Sequence, residues 1–137
     1  MIRSATATWR GSLKEGEGAF SVASGTIKDL KVSFRTRFEN APGTNPEELI
    51  AAAHASCFSM AFSAQLGERG IVPVSVATAC DITFESGTLS RSLLKTTVTA
   101  PGADKAKVEE AAAAAKAGCP ISKVLKLEVE LALTVVV

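Results

Sequence analysis

At 137 residues, 47% apolar and 21% charged, the chain is long enough to bury a core as one domain without staples and has the composition of a globular protein. Its formal net charge of +1 comes without a basic block, so nothing points to nucleic acid or an anionic membrane as a partner. Three cysteines with no CxxC spacing and one histidine cannot make an ordinary four-ligand zinc site; the odd cysteine count, with no apolar signal segment in MIRSATATWRG, points to the cytoplasm.

In chain order, residues 2–10 alternate, with Ala5, Ala7 and Trp9 on one face and Ser4, Thr6, Thr8 and Arg10 on the other, as in a half-buried strand. Gly11, Gly16 and Gly18 punctuate the following turn, and residues 19–23 form a short partner strand. The stretch SGTIKDL is ambiguous between turn and weak strand. Val32, Phe34 and Phe38 then alternate against Ser33, Arg35 and Arg37, which predicts a third strand.

The loop ENAPGTNP leads into a long helix within residues 44–70. Asn45 suits its N-cap, Pro46 its first position, and Glu47 and Glu48 place negative charge where the helix dipole favours it. Glu48, three residues beyond Asn45, fits a capping box. From Leu49 to Leu66 the helix is apolar or small nearly all round, without a charge, so it should be buried on most sides. It looks too short, and too rich in Ala, Ser and His, for a membrane span.

Gly70 ends that helix and Pro73 blocks its resumption. Val74, Val76, Cys80, Ile82 and Phe84 share one face of a long strand; the chain turns around ESGTLS and returns over residues 93–100 as a hairpin. Pro101 and Gly102 introduce a second helix, residues 104–117, which Gly118 closes. Cys119 and Pro120 open a short third helix ending at Val124. From Leu125 the alternation is clean: Leu125, Leu127, Val129, Leu131, Leu133 and Val135 face in, against Lys126, Glu128, Glu130 and Thr134. The order β-β-β-α-β-β-α-(α)-β, with hairpins instead of regular βαβ units, predicts an antiparallel α+β fold. A helix apolar on all sides needs more cover than one small sheet, which predicts a tight homodimer.

The cysteines differ in setting. Cys80 lies on the apolar face of a strand and reads as a small buried hydrophobe. Cys119 precedes Pro120 at a helix N-terminus, where backbone N–H groups lower a thiol pKa, although simple packing serves as well. Cys57 lies mid-helix, beyond the reach of the helix dipole, and burial there raises its pKa. A thiol near pKa 8.5 is only about 3% thiolate at pH 7, and a shift of about two units, roughly 2.7 kcal/mol, is needed to make it mostly anionic. A reactive Cys57 therefore needs a cation, and the candidates are Arg35 and Arg37.

The run RTRFENAPGTNPEELIAAAHASCFSMA, with TWRG before it and LGERG and KAGCPISKVLKLEVEL after it, closely resembles the OsmC/Ohr family of peroxidases that reduce organic hydroperoxides. The resemblance covers essentially the whole chain in order, and the arginine in TRFEN is more like the OsmC branch. It implies Cys57 as peroxidatic and Cys119 as resolving cysteine, Arg37 holding the Cys57 thiolate and Glu47 orienting Arg37. It implies an intertwined homodimer of antiparallel sheets around central helices, with the active sites at the subunit interface. The expected cycle consumes an organic hydroperoxide, and hydrogen peroxide more weakly, passes through a sulfenic acid and a Cys57–Cys119 disulfide, and is reset by a dithiol reductant. It requires no metal, flavin or haem. Glu47 and Cys57 stand ten residues apart, about 15 Å on an unbroken helix, so either the helix breaks or Arg37 and Glu47 come from the other chain; the second is favoured and predicts an obligate homodimer. His54, one turn before Cys57, reads as a packing residue. Two other readings are a non-catalytic redox sensor or stress-binding protein using the same cysteine pair, and a cysteine hydrolase or acyltransferase using Cys57 and His54.

Overall fold

The computed structural model describes residues 1–137, whose contacts gather into two compact units, Met1–Leu49 and Ile50–Val137. In the first, β1 (Ala5–Arg10), β2 (Glu17–Val22) and β3 (Leu30–Ser33) form an antiparallel sheet in the order β1-β2-β3. Gly18 pairs with Trp9, and a Cβ there would come within 2.7 Å of the indole, so only glycine lets the ring lie across β2. The half-buried first strand expected from its alternation is instead exposed at every position, because a single three-stranded sheet supplies no layer over β1.

The third strand, expected to continue through Phe38, stops at Ser33. There the Thr36 N–H donates to Ser33 Oγ (3.2 Å) and the Ser33 N–H donates to Thr36 Oγ1 (3.0 Å), a reciprocal cap that starts helix α1 (Phe34–Phe38). Phe34 and Phe38 pack as tilted rings with centroids 4.8 Å apart. A spacing of four puts two residues on one face of a helix as readily as of a strand, and the Ser-x-x-Thr cap decides between them.

Helix α2 (Pro46–Glu68) starts at its expected Asn45 cap, but of the expected capping box only the Asn45 side-chain half forms, the Glu48 carboxylate being taken by Thr44 instead of the Asn45 N–H. Asn45 Oδ1 accepts from the Glu48 N–H at 2.8 Å, while the Glu48 carboxylate accepts from the Thr44 hydroxyl at 2.7 Å. It ends in a Schellman turn, with Gly70 at φ +72° and the Ile71 N–H donating to the Leu66 carbonyl at 3.0 Å. His54, Phe58, Phe62 and Leu66 form its one fully buried stripe, and Met60 on another face is 74% exposed. Burial on most sides is thus not reached within one chain. At 23 residues and mean hydropathy 1.3 over an 18-residue window, α2 is long and apolar enough to cross a membrane, contrary to the length argument. Its interior His54 is spent on hydrogen bonds to β5 and to the segment after Cys119, the role of a core residue.

The second unit carries the sheet β4-β5-β6, from β4 (Ser75–Glu85), β5 (Thr88–Thr99) and β6 (Glu128–Val136). Ser86 and Gly87, both at positive φ, close the β4–β5 hairpin in the I′ manner. Between β5 and β6 lie α3 (Lys105–Gly118), capped by Asp104, and α4 (Pro120–Val124). That helical crossover returns the chain in the same direction, so β6 pairs with β5 in parallel, where an antiparallel sheet was expected. The α+β class stands. Phe58, Phe62 and Leu66 of α2, Leu94 and Val98 of β5, and Val108, Ala111 and Ala115 of α3 close the core around Cys119.

Candidate active site

Cys57 sits midway along α2 and Cys119 in the one-residue joint between α3 and α4, where it ends one helix and begins the next. Their sulfurs are 3.0 Å apart, and both are free thiols. Cys119 is fully buried and Cys57 half-buried. Burial, followed by the neighbouring Cys119 sulfur, pushes the Cys57 thiol up, against a smaller opposing pull from the Ile121 N–H. Burial also acts upward on Cys119, but the Cys57 thiol, the Ser122 N–H and hydroxyl and the Ile121 N–H together bring it below the usual thiol range. These N–H groups face the sulfur without closing a regular cap hydrogen bond. The two thiols are thus shifted in opposite directions, Cys57 up and Cys119 down. The helix-terminus effect expected for Cys119 and the burial penalty expected for Cys57 both operate.

Arg37 and Glu47 meet in the first unit. Arg37 Nε donates to Glu47 Oε1 (3.1 Å) and Oε2 (3.3 Å), and its Nη2 donates to Oε1 (2.7 Å). The grip uses one edge of the guanidinium and fixes its plane. The Arg37 guanidinium carbon also stands 5.2 Å from the Phe38 ring centroid. The Arg35 side chain pairs with Glu39 at 3.4 Å and is largely exposed. Since α2 runs unbroken from Pro46 to Glu68, the alternative of a break between Glu47 and Cys57 falls away.

A polar chain crosses the core beneath the thiols. His54, fully buried, has Nδ1 2.7 Å from Ser92 Oγ and Nε2 2.7 Å from Ser122 Oγ. Ser92 Oγ is also 3.2 Å from Cys80 Sγ. Burial holds the His54 ring below the ordinary imidazole range and pushes the Cys80 thiol up. Cys80 is half-buried, as its place on the strand implies, but it is also hydrogen-bonded. No group of three or more His, Cys, Asp or Glu side chains is placed to hold a metal ion.

Residues 38–134 match the family model described as OsmC-like protein. The chain is also 45% identical over 129 residues to Peroxiredoxin OsmC of Escherichia coli (strain K12), covering 91% of this chain and 90% of that protein. The chain belongs to the OsmC family. Solved structures of OsmC-like and Ohr proteins share its fold. An OsmC-like protein of unknown function from Vibrio cholerae aligns with TM-score 0.76 at 18% identity, over 98% of this chain and 99% of that one. The organic hydroperoxide resistance protein OhrB of Bacillus subtilis aligns with TM-score 0.67 at 26% identity, over 96% and 98%.

Within this OsmC-family chain, sequence reasoning placed Cys57, Cys119, Arg37 and Glu47 in the site, and the structure joins them as two pairs, thiol with thiol and arginine with glutamate. It missed the His54 chain. Ser92 and Ser122 lie 38 and 68 positions from His54, and nothing local in the sequence marks their meeting. The usable signal was a lone histidine in an otherwise uncharged helix, which has to find two polar partners if buried.

Proposed function

We propose that this chain is a cysteine-based peroxidase that reduces organic hydroperoxides, and hydrogen peroxide more weakly, in the cytoplasm. The observation that carries the reading is the pair of free thiols with sulfurs 3.0 Å apart, about 1 Å beyond disulfide bonding distance. The Cys57 thiolate attacks the distal oxygen of ROOH; the O–O bond breaks, the alkoxide takes a proton to leave as an alcohol, and Cys57 becomes a sulfenic acid. Cys119 then displaces hydroxide to form the disulfide, and a dithiol reductant resets the pair by exchange.

Cys57 needs help that burial does not give it, since burial pushes its thiol up. Arg37, gripped by Glu47, is the proposed source, lowering the thiolate energy and polarising the peroxide. Glu47 precedes Cys57 by ten positions, about 15 Å, on the continuous α2. An arginine clamped to Glu47 of the same chain is then too distant for a hydrogen bond to that Cys57. The Arg37–Glu47 pair of a second copy is the arrangement we favour, which makes the homodimer obligatory for catalysis. The exposed β1 and the incompletely covered α2 are the surfaces such a copy would bury.

The test is steady-state consumption of cumene hydroperoxide with excess dithiol. Many turnovers per chain, abolished in Cys57→Ser, are expected; Cys119→Ser should oxidise without forming the internal disulfide. One stoichiometric oxidation with no recycling would convert the reading to that of a redox sensor, and full activity in Cys57→Ser would end it.

A further inference from the structure

The two sulfurs of the pair differ in what can reach them. Cys119 is fully buried within the core cluster that includes Phe58, Val108 and Ala115, while Cys57 keeps part of its surface in solvent. The Cys119 backbone is pinned on both sides: its N–H donates to the Ala115 carbonyl at 2.8 Å, and its carbonyl accepts from the Lys123 N–H at 3.1 Å. The neighbouring Ser122 is tied to the buried His54 ring, its hydroxyl 2.7 Å from Nε2. Baring the Cys119 sulfur therefore requires the end of α3 or the start of α4 to open. Cys57 needs no such opening. A second copy laid over α2 would narrow the approach to Cys57 and leave Cys119 sealed by its own chain.

We propose that the dithiol reductant resets the protein by attacking Cys57 alone, with Cys119 as a leaving group that never meets the reductant. This rests on the disulfide of the peroxidase reading and assigns the direction of its reduction, which that reading leaves open. Exchange goes to the sulfur that the thiolate can reach, with attacking, central and leaving sulfurs in line. Attack on Cys57 comes from the side away from Cys119, whereas any approach to Cys119 has to pass through the core. One reductant thiolate forms an S–S bond to Cys57 Sγ; the Cys57–Cys119 bond breaks, and its electron pair stays on Cys119, which takes a proton from solvent. The second thiol of the reductant, as thiolate, then attacks the reductant's own sulfur in the mixed disulfide. Cys57 leaves as a thiolate and the reductant departs as its disulfide. Two electrons pass from the dithiol to the pair, and peroxide and reductant take turns at one sulfur.

The test uses the wild-type protein oxidised with diamide, which forms the disulfide without a peroxide. A brief exposure to excess mercaptoethanol, an acid quench and alkylation of the free thiols with a maleimide leave one label on each sulfur. Peptide mass spectrometry then reads which cysteine carries the mixed disulfide. Mercaptoethanol on Cys57 with alkylated Cys119 should outnumber the reverse by about tenfold or more, because attack at Cys119 waits on a local opening. In urea strong enough to unfold the chain, the ratio should fall to about one, since both sulfurs are then equally accessible. Adducts mainly on Cys119 or shared evenly in the folded protein would overturn the proposal, as would a preference that survives unfolding, or failure of diamide to join Cys57 to Cys119. Failure of the peroxidase reading would look different: cumene hydroperoxide would not be turned over, while the diamide-formed disulfide would still open at Cys57.

Discussion

If Arg37 serves the thiol of the other subunit, two inactive variants should make an active protein when mixed. Cys57→Ser lacks the thiol but keeps Arg37; Arg37→Gln keeps the thiol but lacks the cation. The magnitude follows from the structure and from two-fold symmetry. Glu47, which holds Arg37 by contacts of 2.7 to 3.3 Å, stands ten positions before Cys57 on one unbroken helix. That separation of about 15 Å is several times the reach of a hydrogen bond, so complementation within one chain is not available. In a symmetric dimer each hetero-pair joins the Cys57 of the Arg37→Gln chain to the Arg37 of the Cys57→Ser chain and makes one intact site. Random reassortment gives half hetero-dimers, each with one of its two sites restored, hence roughly a quarter of wild-type activity. The assay is cumene hydroperoxide consumption with dithiol after the two variants are unfolded, mixed in equal amounts and refolded together, with each variant refolded alone as the baseline. Arg37→Gln alone should fall by about a hundredfold, the equivalent of the two-unit shift needed to ionise a thiol near neutral pH. A refolded mixture no more active than the sum of its parts would refute the reasoning, and would place Arg37 either in its own chain's site or outside the chemistry.

Two further outcomes follow. Glu47→Gln should change stability by less than about 1 kcal/mol, because Arg37 is over a third exposed, yet lower kcat/KM by about tenfold to thirtyfold as the guanidinium regains up to ~2 kcal/mol of rotamer freedom; urea unfolding beside the peroxidase assay separates the two, and a rate loss explained by the stability loss would count against an orienting role. Burial depresses His54, so the neutral ring contributes stability that is complete above the unfolded value of 6.5 and is lost as pH falls through the folded value. Urea unfolding of the reduced protein should therefore show a slope between pH 6.5 and acid steeper in wild type than in His54→Asn by up to about 1.4 kcal/mol per unit, and identical slopes would contradict it.

What the sequence made legible was local. Asn45, Pro46 and Gly70 mark the ends of α2 because caps and terminators act over four or five residues, and the one-residue joint at Cys119 is visible in GCP for the same reason. Residues 34–38 misled because the two phenylalanines satisfy both periods, and the deciding bonds between Ser33 and Thr36 are a cap that no hydrophobic pattern records. The parallel pairing of β6 escaped because its direction is set by the α3–α4 crossover, not by its own alternation, which was read correctly from Val129 to Val135. His54 was placed in the core but its serines were not found, since they come from β5 and α4 through tertiary packing.

Helix α2 shows why composition ran ahead of what one chain buries. A helix needs one apolar stripe to dock on a sheet, and His54, Phe58, Phe62 and Leu66 supply it at spacings of four. Ala52, Ala53, Ser56, Met60, Ser63 and Ala64 are nevertheless small or apolar and exposed, in a helix that carries no charge from Leu49 to Leu66. Solvation alone would place lysines and glutamates there, as it does on α3 at Lys105, Lys107, Glu109 and Glu110. A second surface that excludes water would explain their absence, and small side chains would let it approach the α2 backbone closely. Cys57 sits between the two faces, half-buried by its own chain and bonded to Cys119 on the inner side. An outer surface brought over α2 by a second copy would dehydrate that thiol further and raise its pKa, unless the same copy delivered a cation. The covering that α2 lacks and the charge that Cys57 needs are thus linked demands, and the Arg37–Glu47 pair of a partner subunit would meet both at once.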